Sequence, residues 1–328
     1  MNLFEEIKSG IQKSKKVTRL VYAEGWNSMI YSAAVLVQSE SHGLIQPILI
    51  FRSKKEVPNQ FNPALKKIVI GVDDLSKYEN LIFELRKNKG ITIEQAKELA
   101  TQPNFLASAI VAANDADAEI CGIEYTTADT LRSALQIVKP APNVKTVCSA
   151  FIMQKNNERL IFGDCSVNVY PDAESLSSIA KSLAVFAKNV AGVRDVRMAL
   201  LSYSTIGSGK GESVDKVTKA YELIKLDEDF MSKYKVFGEI QFDAAYDLRV
   251  MHKKAPELNW NTSANVFCFP NIDAGNIGYK IAQRLGGYDA VGPIVLGLNK
   301  PVNDLSRGAN TDDVVKLSYI TSMQVING

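Results

Sequence analysis

The feature that most constrains the fold is an alternation of short apolar runs with segments of helical periodicity. Residues 45–51 are apolar apart from Gln46 and are followed by a polar turn, which is typical of a buried parallel strand. Residues 173–189 instead carry apolar side chains at helical spacing. Strands separated by helices form β-α-β units, so the pattern predicts an α/β protein with mostly parallel sheets and helices on both faces.

The same criteria predict elements along the whole chain. The predicted strands are 20–23, 45–51, 68–72, 120–123, 144–153, 159–162, 197–203, 264–269 and 291–296. The predicted helices are 1–16, 29–38, 93–99, 104–114, 130–138, 173–189, 214–224, 277–285 and 314–326. A length of 328 residues favours two domains, and Pro140-Ala-Pro-Asn143 is the clearest break before the middle of the chain.

Composition excludes several function classes. A formal net charge of +2 argues against a nucleic-acid binder with a basic face. No apolar run approaches the roughly 20 residues of a membrane helix, and the amphipathic start lacks the apolar core of a signal peptide, so a cytoplasmic protein is expected. The four cysteines form no C-x-x-C pair, and His42 and His252 are the only histidines, so no metal site is predicted.

The segment after the last predicted strand is the best candidate for a ligand site. It concentrates four polar side chains in five positions, and ligands of open α/β sheets lie beyond the carboxyl ends of strands. These are Asn303, Asp304, Ser306 and Arg307. A helix follows, for which Thr311 is the predicted cap, with Asp312 and Asp313 in the first turn where the helix dipole favours carboxylates.

Two other glycine-containing loops, 204–211 and 270–278, follow predicted strands. The first fails the Walker pattern because Gly211 follows Lys210, and it fails the dinucleotide pattern because Glu212 stands where glycine is required. Anion binding by its backbone N–H groups and a flexible turn between domains both remain open. Spacing alone also leaves open whether Arg86 and Arg132 are solvated helix residues or ligand contacts.

A long, ordered set of motifs resembles the phosphate acetyltransferases (phosphotransacetylases), with the phosphate butyryltransferases as close relatives. The strongest is Lys300-Pro-Val-Asn-Asp-Leu-Ser-Arg-Gly308, preceded by Ala290-Val-Gly-Pro-Ile294. The others lie at 84–92, 127–138, 202–205, 238–245 and 274–280.

The resemblance implies reversible acetyl transfer between coenzyme A (CoA) and inorganic phosphate. It implies a two-domain, three-layer αβα fold related to isocitrate and isopropylmalate dehydrogenases. The carboxyl-terminal segment would return to the first domain, giving domains of 1–145 plus 297–328 and of 146–296, with the active site in the cleft between them. A homodimer is implied, with CoA as a substrate and no cofactor.

Site residues follow from the matching motifs. Ser306 and Arg307 match the active-site Ser-Arg pair of the family, and Asp313 matches its proposed catalytic base.

The resemblance also supplies candidate substrate contacts. Arg86 and Arg132 match arginines that handle CoA or phosphate, without an assignment between the two. Lys280 and Asn303 lie in matching motifs and are weaker candidates, because a solvated lysine and a turn asparagine are equally good interpretations.

Two segments depart from the family pattern. Where the family has Glu-Gly-Glu-Asp-x-Arg, this chain has Glu24-Gly-Trp-Asn-Ser-Met29. Where a histidine usually precedes the Thr-Ala-Asp-Thr segment, this chain has Tyr125. Both departures concern the amino-terminal wall of the expected cleft.

The residue types suit direct thiolate attack in a ternary complex. A guanidinium such as that of Arg307 can hold phosphate or the carbonyl oxygen as negative charge grows there. Ser306 has no adjacent histidine to activate it, so it is predicted to donate a hydrogen bond. Proton transfer from a thiol to an ordinary carboxylate is uphill by about 4–5 pK units, roughly 6 kcal/mol, so Asp313 would need help from burial or from Arg307.

Three alternatives remain at this stage. The acyl range could be butyryl, because a pair of methylenes is worth only a few kcal/mol in a pocket. A dehydrogenase of the same architecture would need a nicotinamide site and a carboxylate-bound metal, for which no convincing set of acids is visible. A non-catalytic CoA-binding relative is the third, since fold alone does not prove function.

Overall fold

The computed structural model describes residues 3–328. These residues form two compact units. The first, which we call the terminal unit, comprises the described residues up to Pro142 together with Leu298–Gly328. The second, the central unit, comprises Asn143–Gly297. The chain therefore leaves the terminal unit once and returns to it for its last segment.

The helices and strands have the following bounds. The helices are α1 (Leu3–Ser14), α2 (Ser28–Glu40), α3 (Ser76–Arg86), α4 (Ile93–Ala100), α5 (Pro103–Ala112), α6 (Thr127–Ser133), α7 (Ala173–Asn189), α8 (Glu212–Lys225), α9 (Glu228–Lys233), α10 (Phe242–Tyr246), α11 (Leu248–Lys254), α12 (Ile272–Arg284) and α13 (Thr311–Asn327). The strands are β1 (Thr18–Tyr22), β2 (Ile45–Phe51), β3 (Lys66–Val69), β4 (Ala118–Cys121), β5 (Cys148–Lys155), β6 (Glu158–Gly163), β7 (Arg197–Leu201), β8 (Lys235–Ile240), β9 (Val266–Cys268), β10 (Asp289–Leu296) and β11 (Val302–Asp304).

Within the described residues, the terminal unit contains a five-stranded sheet of order β11-β4-β1-β2-β3. Its neighbouring strands are all parallel. Alternate residues of β1 face opposite sides of the sheet. Val21 packs in a cluster with Leu106 of α5, whereas the hydroxyl of Tyr22 hydrogen-bonds Ser318 of α13 at 2.8 Å. Helices therefore cover both faces, and all the carboxyl ends of the strands meet at one edge.

The described part of the central unit contains a six-stranded sheet of order β10-β5-β6-β9-β7-β8. β5 is antiparallel to both β10 and β6, and the remaining neighbours are parallel. Its core contains the edge-to-face pair Phe162 and Phe267, whose ring centroids are 5.5 Å apart. Burial of apolar side chains in such clusters stabilises the unit.

The α/β class with mostly parallel sheets is confirmed. Strand 45–51 and helix 173–189 have the predicted bounds. The predicted helix 1–16 is α1, although its residues 1 and 2 lie outside the described residues. Helix α3 and strands β8 and β11 were not predicted.

Candidate active site

Three loops at the carboxyl edge of the five-stranded sheet build the candidate site. They follow β1, β4 and β11, which are neighbours in the sheet. The N–H of Ala23 donates to the carbonyl of Ile120, and the N–H of Leu305 donates to the carbonyl of Cys121 at 2.7 Å. The loops that follow β1 and β11 are therefore both hydrogen-bonded to the end of β4.

A buried carboxylate at the end of β1 organises the loop after β4. Glu24 Oε2 accepts the N–H groups of Gly122 and Ile123 at 3.0 and 3.1 Å, and Oε1 accepts those of Glu124 and Tyr125 at 2.6 and 3.1 Å. Burial raises the pKa of the Glu24 carboxyl, and these amide hydrogen bonds offset part of the rise. Four consecutive amides on one side chain fix the loop that leads into α6.

A second buried carboxylate stands at the end of β11. Asp304 is 2% exposed, and its Oδ2 accepts a hydrogen bond from Thr127 Oγ1 at 2.5 Å. Burial raises the pKa of Asp304 to about 6; hydrogen bonds from Thr127 and Thr130 lower it, and the charge of Glu24 raises it. Asp304 therefore joins the first residue of α6 to the strand that leads into the Ser-Arg bend.

The predicted Ser-Arg pair forms an exposed bend directly after Leu305. Ser306 Oγ accepts the N–H of Gly308 at 3.3 Å, and the carbonyl of Ser306 accepts the N–H of Ala309. Both Ser306 and Arg307 are exposed. Among residues 3–328 the Arg307 guanidinium has no carboxylate partner, so it is available to an anionic ligand.

Asp313 lies six positions after Arg307, in the first turn of α13. The predicted cap, Thr311, is wrong, because the N-cap is Asn310. Asn310 Oδ1 accepts the N–H of Asp313 at 3.1 Å, and Asp313 Oδ2 accepts the N–H of Asn310 at 2.9 Å. This reciprocal pair is a capping box. Asp313 is exposed but already holds one hydrogen bond.

The two predicted substrate arginines have different surroundings. Arg132, near the carboxyl end of α6, is 56% exposed and pairs with Asp129 at 2.9 Å. Arg86, at the end of α3, is half-buried, and its Nε is buried without a hydrogen-bond partner among the described residues. No described acid pairs with Arg86. An unpaired, partly buried guanidinium is costly to the fold, which is typical of an anion-binding position.

The two weaker candidates differ in burial. Asn303 is fully buried, and its Nδ2 donates to Thr321 Oγ1 at 2.7 Å and to Gln324 Oε1 at 2.6 Å. This placement favours a structural role in seating α13. Lys280 lies on α12 of the central unit, where it is exposed and stands 5.8 Å from the centre of the Tyr279 ring.

The glycine loop 204–211 belongs entirely to the central unit, which excludes the turn between domains that the sequence leaves open as one alternative. Buried Glu239 fills it from the end of β8. Its Oε1 accepts the N–H of Gly207 at 2.8 Å and the hydroxyl of Ser204 at 2.6 Å. An internal carboxylate thus takes a place that an anionic ligand would otherwise occupy.

Residues 3–328 contain no cluster of three or more His, Cys, Asp or Glu side chains placed to hold a metal ion. No helix in that range has the length and apolar character needed to span a bilayer. All four cysteines are buried free thiols.

Comparison with known proteins places these loops in a family. A family model described as "Phosphate acetyl/butaryl transferase" matches residues 2–322. The chain belongs to this family.

Family relatives are similar over essentially the whole chain. A phosphate acetyltransferase of Mycoplasma pneumoniae is 46% identical over 326 residues, covering 99% of this chain and 100% of that protein. A solved structure of a phosphotransacetylase from Streptococcus pyogenes is 36% identical, with a TM-score of 0.90 and 99% of each chain covered. These matches confirm the resemblance that the sequence motifs indicated.

A more distant likeness bears on the fold alone. A structure described as a 4-hydroxythreonine-4-phosphate dehydrogenase from Salmonella typhimurium is 14% identical, with a TM-score of 0.50, covering 93% of this chain and 99% of that one. The dehydrogenase-like architecture expected from the sequence is consistent with this likeness.

Sequence reasoning missed Glu24 and Gly122 as site-building residues. Gly122 has a φ of +110°, and a Cβ added there would lie 2.2 Å from Asp304 Oδ1. The available signals were a carboxylate directly after a strand and a glycine directly after the next. Neither signal alone reveals that the two loops meet.

Proposed function

We propose that this chain catalyses the reversible transfer of an acetyl group between acetyl-CoA and inorganic phosphate, giving acetyl phosphate and CoA. The observation that carries the proposal is its 46% identity to a phosphate acetyltransferase over the full length of both chains. The exposed Ser306-Arg307 bend, with a guanidinium free of any described carboxylate, supports it.

Arg307 is the group best suited to stabilise the transition state. Its planar fork of N–H donors matches the oxygens of phosphate or the oxyanion that develops on the acetyl carbonyl. The unpaired guanidinium of Arg86 offers a second positive charge, whereas Arg132 would first have to loosen its contact with Asp129. We therefore assign phosphate and the transferring acyl group to Arg307, and a CoA or phosphate oxygen to Arg86.

Ser306 would donate a hydrogen bond and would not form an acyl-enzyme. Its Oγ accepts the N–H of Gly308, which leaves the hydroxyl proton free to reach a substrate oxygen. No imidazole adjoins it in the sequence, so nothing is placed to activate it as a nucleophile. The thiolate of CoA would attack acetyl phosphate directly, forming the C–S bond as the C–O bond to phosphate breaks.

Asp313 would accept the thiol proton. Asp313 is exposed, and the guanidinium of Arg307 would assist the proton transfer by stabilising the thiolate that forms. The capping-box contact with Asn310 holds the carboxylate in one orientation at the start of α13. In the reverse reaction, Asp313 would return the proton to the CoA sulfur.

The proposal is tested by measuring CoA-dependent formation and consumption of acetyl phosphate with the purified chain. We expect release of CoA from acetyl-CoA to require phosphate and to proceed without added metal or cofactor. Phosphate-independent release of CoA would indicate a hydrolase and contradict the proposal. Binding of CoA without turnover would favour the non-catalytic alternative. Butyryl-CoA turned over faster than acetyl-CoA would assign the chain to the butyryl branch.

We also propose a homodimer in the cytoplasm. Ile277, Ile281 and Leu285 form a stripe at i, i+4 and i+8 on or just after α12 and are 58%, 53% and 84% exposed. An apolar stripe of this kind is typical of a protein interface. The variant Ile281→Glu should shift sedimentation towards the monomer, and an unchanged sedimentation coefficient would exclude this face. Cell fractionation tests the location.

A further inference from the structure

Asp304 connects two parts of the candidate site that lie far apart in the sequence. It ends β11 and precedes Ser306 by two positions. Its Oδ2 accepts the hydroxyl of Thr127, the first residue of α6, at 2.5 Å. Arg132 lies on the last turn of the same short helix. The hydrogen bond from Thr127 therefore links the strand leading to the Ser-Arg bend with the helix that carries a predicted substrate arginine.

The segment that precedes α6 is held in place by hydrogen bonds. Glu24 accepts the four backbone N–H groups of residues 122–125, so the segment before α6 cannot shift freely. The side chain of Thr126 then caps α6 by accepting the N–H of Asp129 at 3.2 Å. Since α6 is fixed at its start, the bond from Thr127 to Asp304 transmits that fixed position to the end of β11.

The buried carboxylate of Asp304 destabilises the folded state. Asp304 is buried, and its Oδ1 has no hydrogen-bond partner of normal geometry within residues 3–328. Burial also raises its pKa to about 6. A buried carboxylate with one good hydrogen bond destabilises a protein relative to a neutral isostere. Costly local arrangements of this kind are concentrated at functional sites.

We propose that Asp304 is a positioning residue that, through its hydrogen bond from Thr127, fixes the Ser306-Arg307 bend relative to the helix carrying Arg132. This inference rests on the proposed acetyl transfer and adds to it a residue that touches no substrate. Loss of this positioning should lower kcat, because displacing a reacting group by about 1 Å reduces the reaction rate about 100-fold. The affinity for CoA should change little, because other contacts also contribute to CoA binding.

Two pairs of variants test this role. Thr127→Val removes the hydroxyl at an exposed position, whereas Thr127→Ser keeps it. Asp304→Ala removes the acceptor, whereas Asp304→Asn keeps an oxygen acceptor. We expect Thr127→Val and Asp304→Ala each to lower kcat by about 10–100-fold with KM within about twofold, and the double variant to be no slower than the worse single variant. The two conservative variants should retain kcat within about threefold.

The control variant is Thr101→Val, which removes a hydroxyl that donates to the carbonyl of Glu98 near the end of α4. It should leave kcat unchanged. Full turnover in Thr127→Val, with only a lower melting temperature, would overturn the inference and leave the proposed function standing. Additive losses in the double variant would also overturn it. A wild-type chain without CoA-dependent acetyl phosphate formation would overturn both. If Asp304→Ala fails to fold, the comparison of Thr127→Val with Thr127→Ser tests the inference.

Discussion

Replacing Glu119 by glutamine should flatten the dependence of stability on pH. Glu119 lies on β4 in the middle of the five-stranded sheet, between Val21 of β1 and Val302 of β11. It is fully buried, and its Oε2 accepts a hydrogen bond from Ser108 at 2.7 Å. Burial raises the pKa of Glu119 from 4.5 to about 8; the Ser108 contact lowers it and the charge of Glu24 raises it.

The sign of this pH dependence follows from the protons bound by the folded and unfolded states. Between pH 4.5 and 8 the folded chain keeps the Glu119 proton while the unfolded chain has lost it, so the free energy of unfolding falls as the pH rises. Each pH unit in this range removes about 1.4 kcal/mol. From pH 5 to pH 8 the wild type therefore loses about 4 kcal/mol through this group alone. Glutamine is neutral throughout and removes this slope.

The assay is urea unfolding followed by circular dichroism at pH 5, 6, 7 and 8. The stability of Glu119→Gln relative to wild type should rise by about 4 kcal/mol across the series, and other titrating groups cancel in the difference. Glu222→Gln, at a side chain 58% exposed, is the matched control and should show a flat difference. Parallel curves for Glu119→Gln and wild type would refute the reasoning, because they would mean that Glu119 titrates alike in both states.

Three further predictions concern the site itself. Ser306→Ala should keep partial activity, and no acetylated Ser306 should be trapped from the wild type by mass spectrometry; a trapped adduct would contradict direct transfer. Gly122→Ala should destabilise the fold by about 2–3 kcal/mol in urea unfolding, because its Cβ would meet Asp304 Oδ1 at 2.2 Å in a backbone conformation with φ of +110°. Arg86→Ala should lower kcat/KM by about tenfold or more and Arg132→Ala by less, since only Arg132 has a carboxylate partner. Equal losses in steady-state kinetics of the two arginine variants would remove that distinction.

Local patterns in the sequence predicted the elements that local forces determine. Helix α7 has its predicted bounds because Asp172 caps it and its apolar side chains recur at helical spacing. Strand β2 is buried at every position except Gln46, as its mostly apolar sequence indicates. The Ser306-Arg307 bend was found because polar side chains cluster between an apolar strand and a helix start.

Elements that depend on distant partners were missed. Strand β11 has only three residues and forms because it pairs with β4, about 180 residues earlier. In the sequence it is indistinguishable from the polar loop around it. Asn303 was interpreted as a turn residue or a ligand contact because its buried partners on α13 are visible only in the fold. The roles of Glu24 and Asp304 likewise depend on amide and hydroxyl donors from remote segments.

Buried carboxylates at strand ends show what the sequence pattern leaves out. Glu24, Asp164 and Glu239 lie at or just after strand ends and accept backbone N–H groups from neighbouring loops. Asp304 ends β11 and accepts the hydroxyl of Thr127 at the start of α6. Each appears in the sequence as an ordinary acid near a glycine. Their shared role is to hold neighbouring segments at the carboxyl edges of the sheets. This role is visible only in the fold, which brings the N–H and hydroxyl donors next to each carboxylate.

The most direct test of the proposed chemistry is the kcat/KM for acetyl phosphate formation in Arg307→Ala and Arg307→Lys. Loss of the guanidinium should lower kcat/KM by about 100-fold or more, and lysine should restore little, because it lacks the planar fork that binds two oxygens at once. Arg249→Ala, at a side chain 92% exposed in the central unit, is the control and should match the wild type. Near-wild-type kcat/KM in Arg307→Ala would contradict the account.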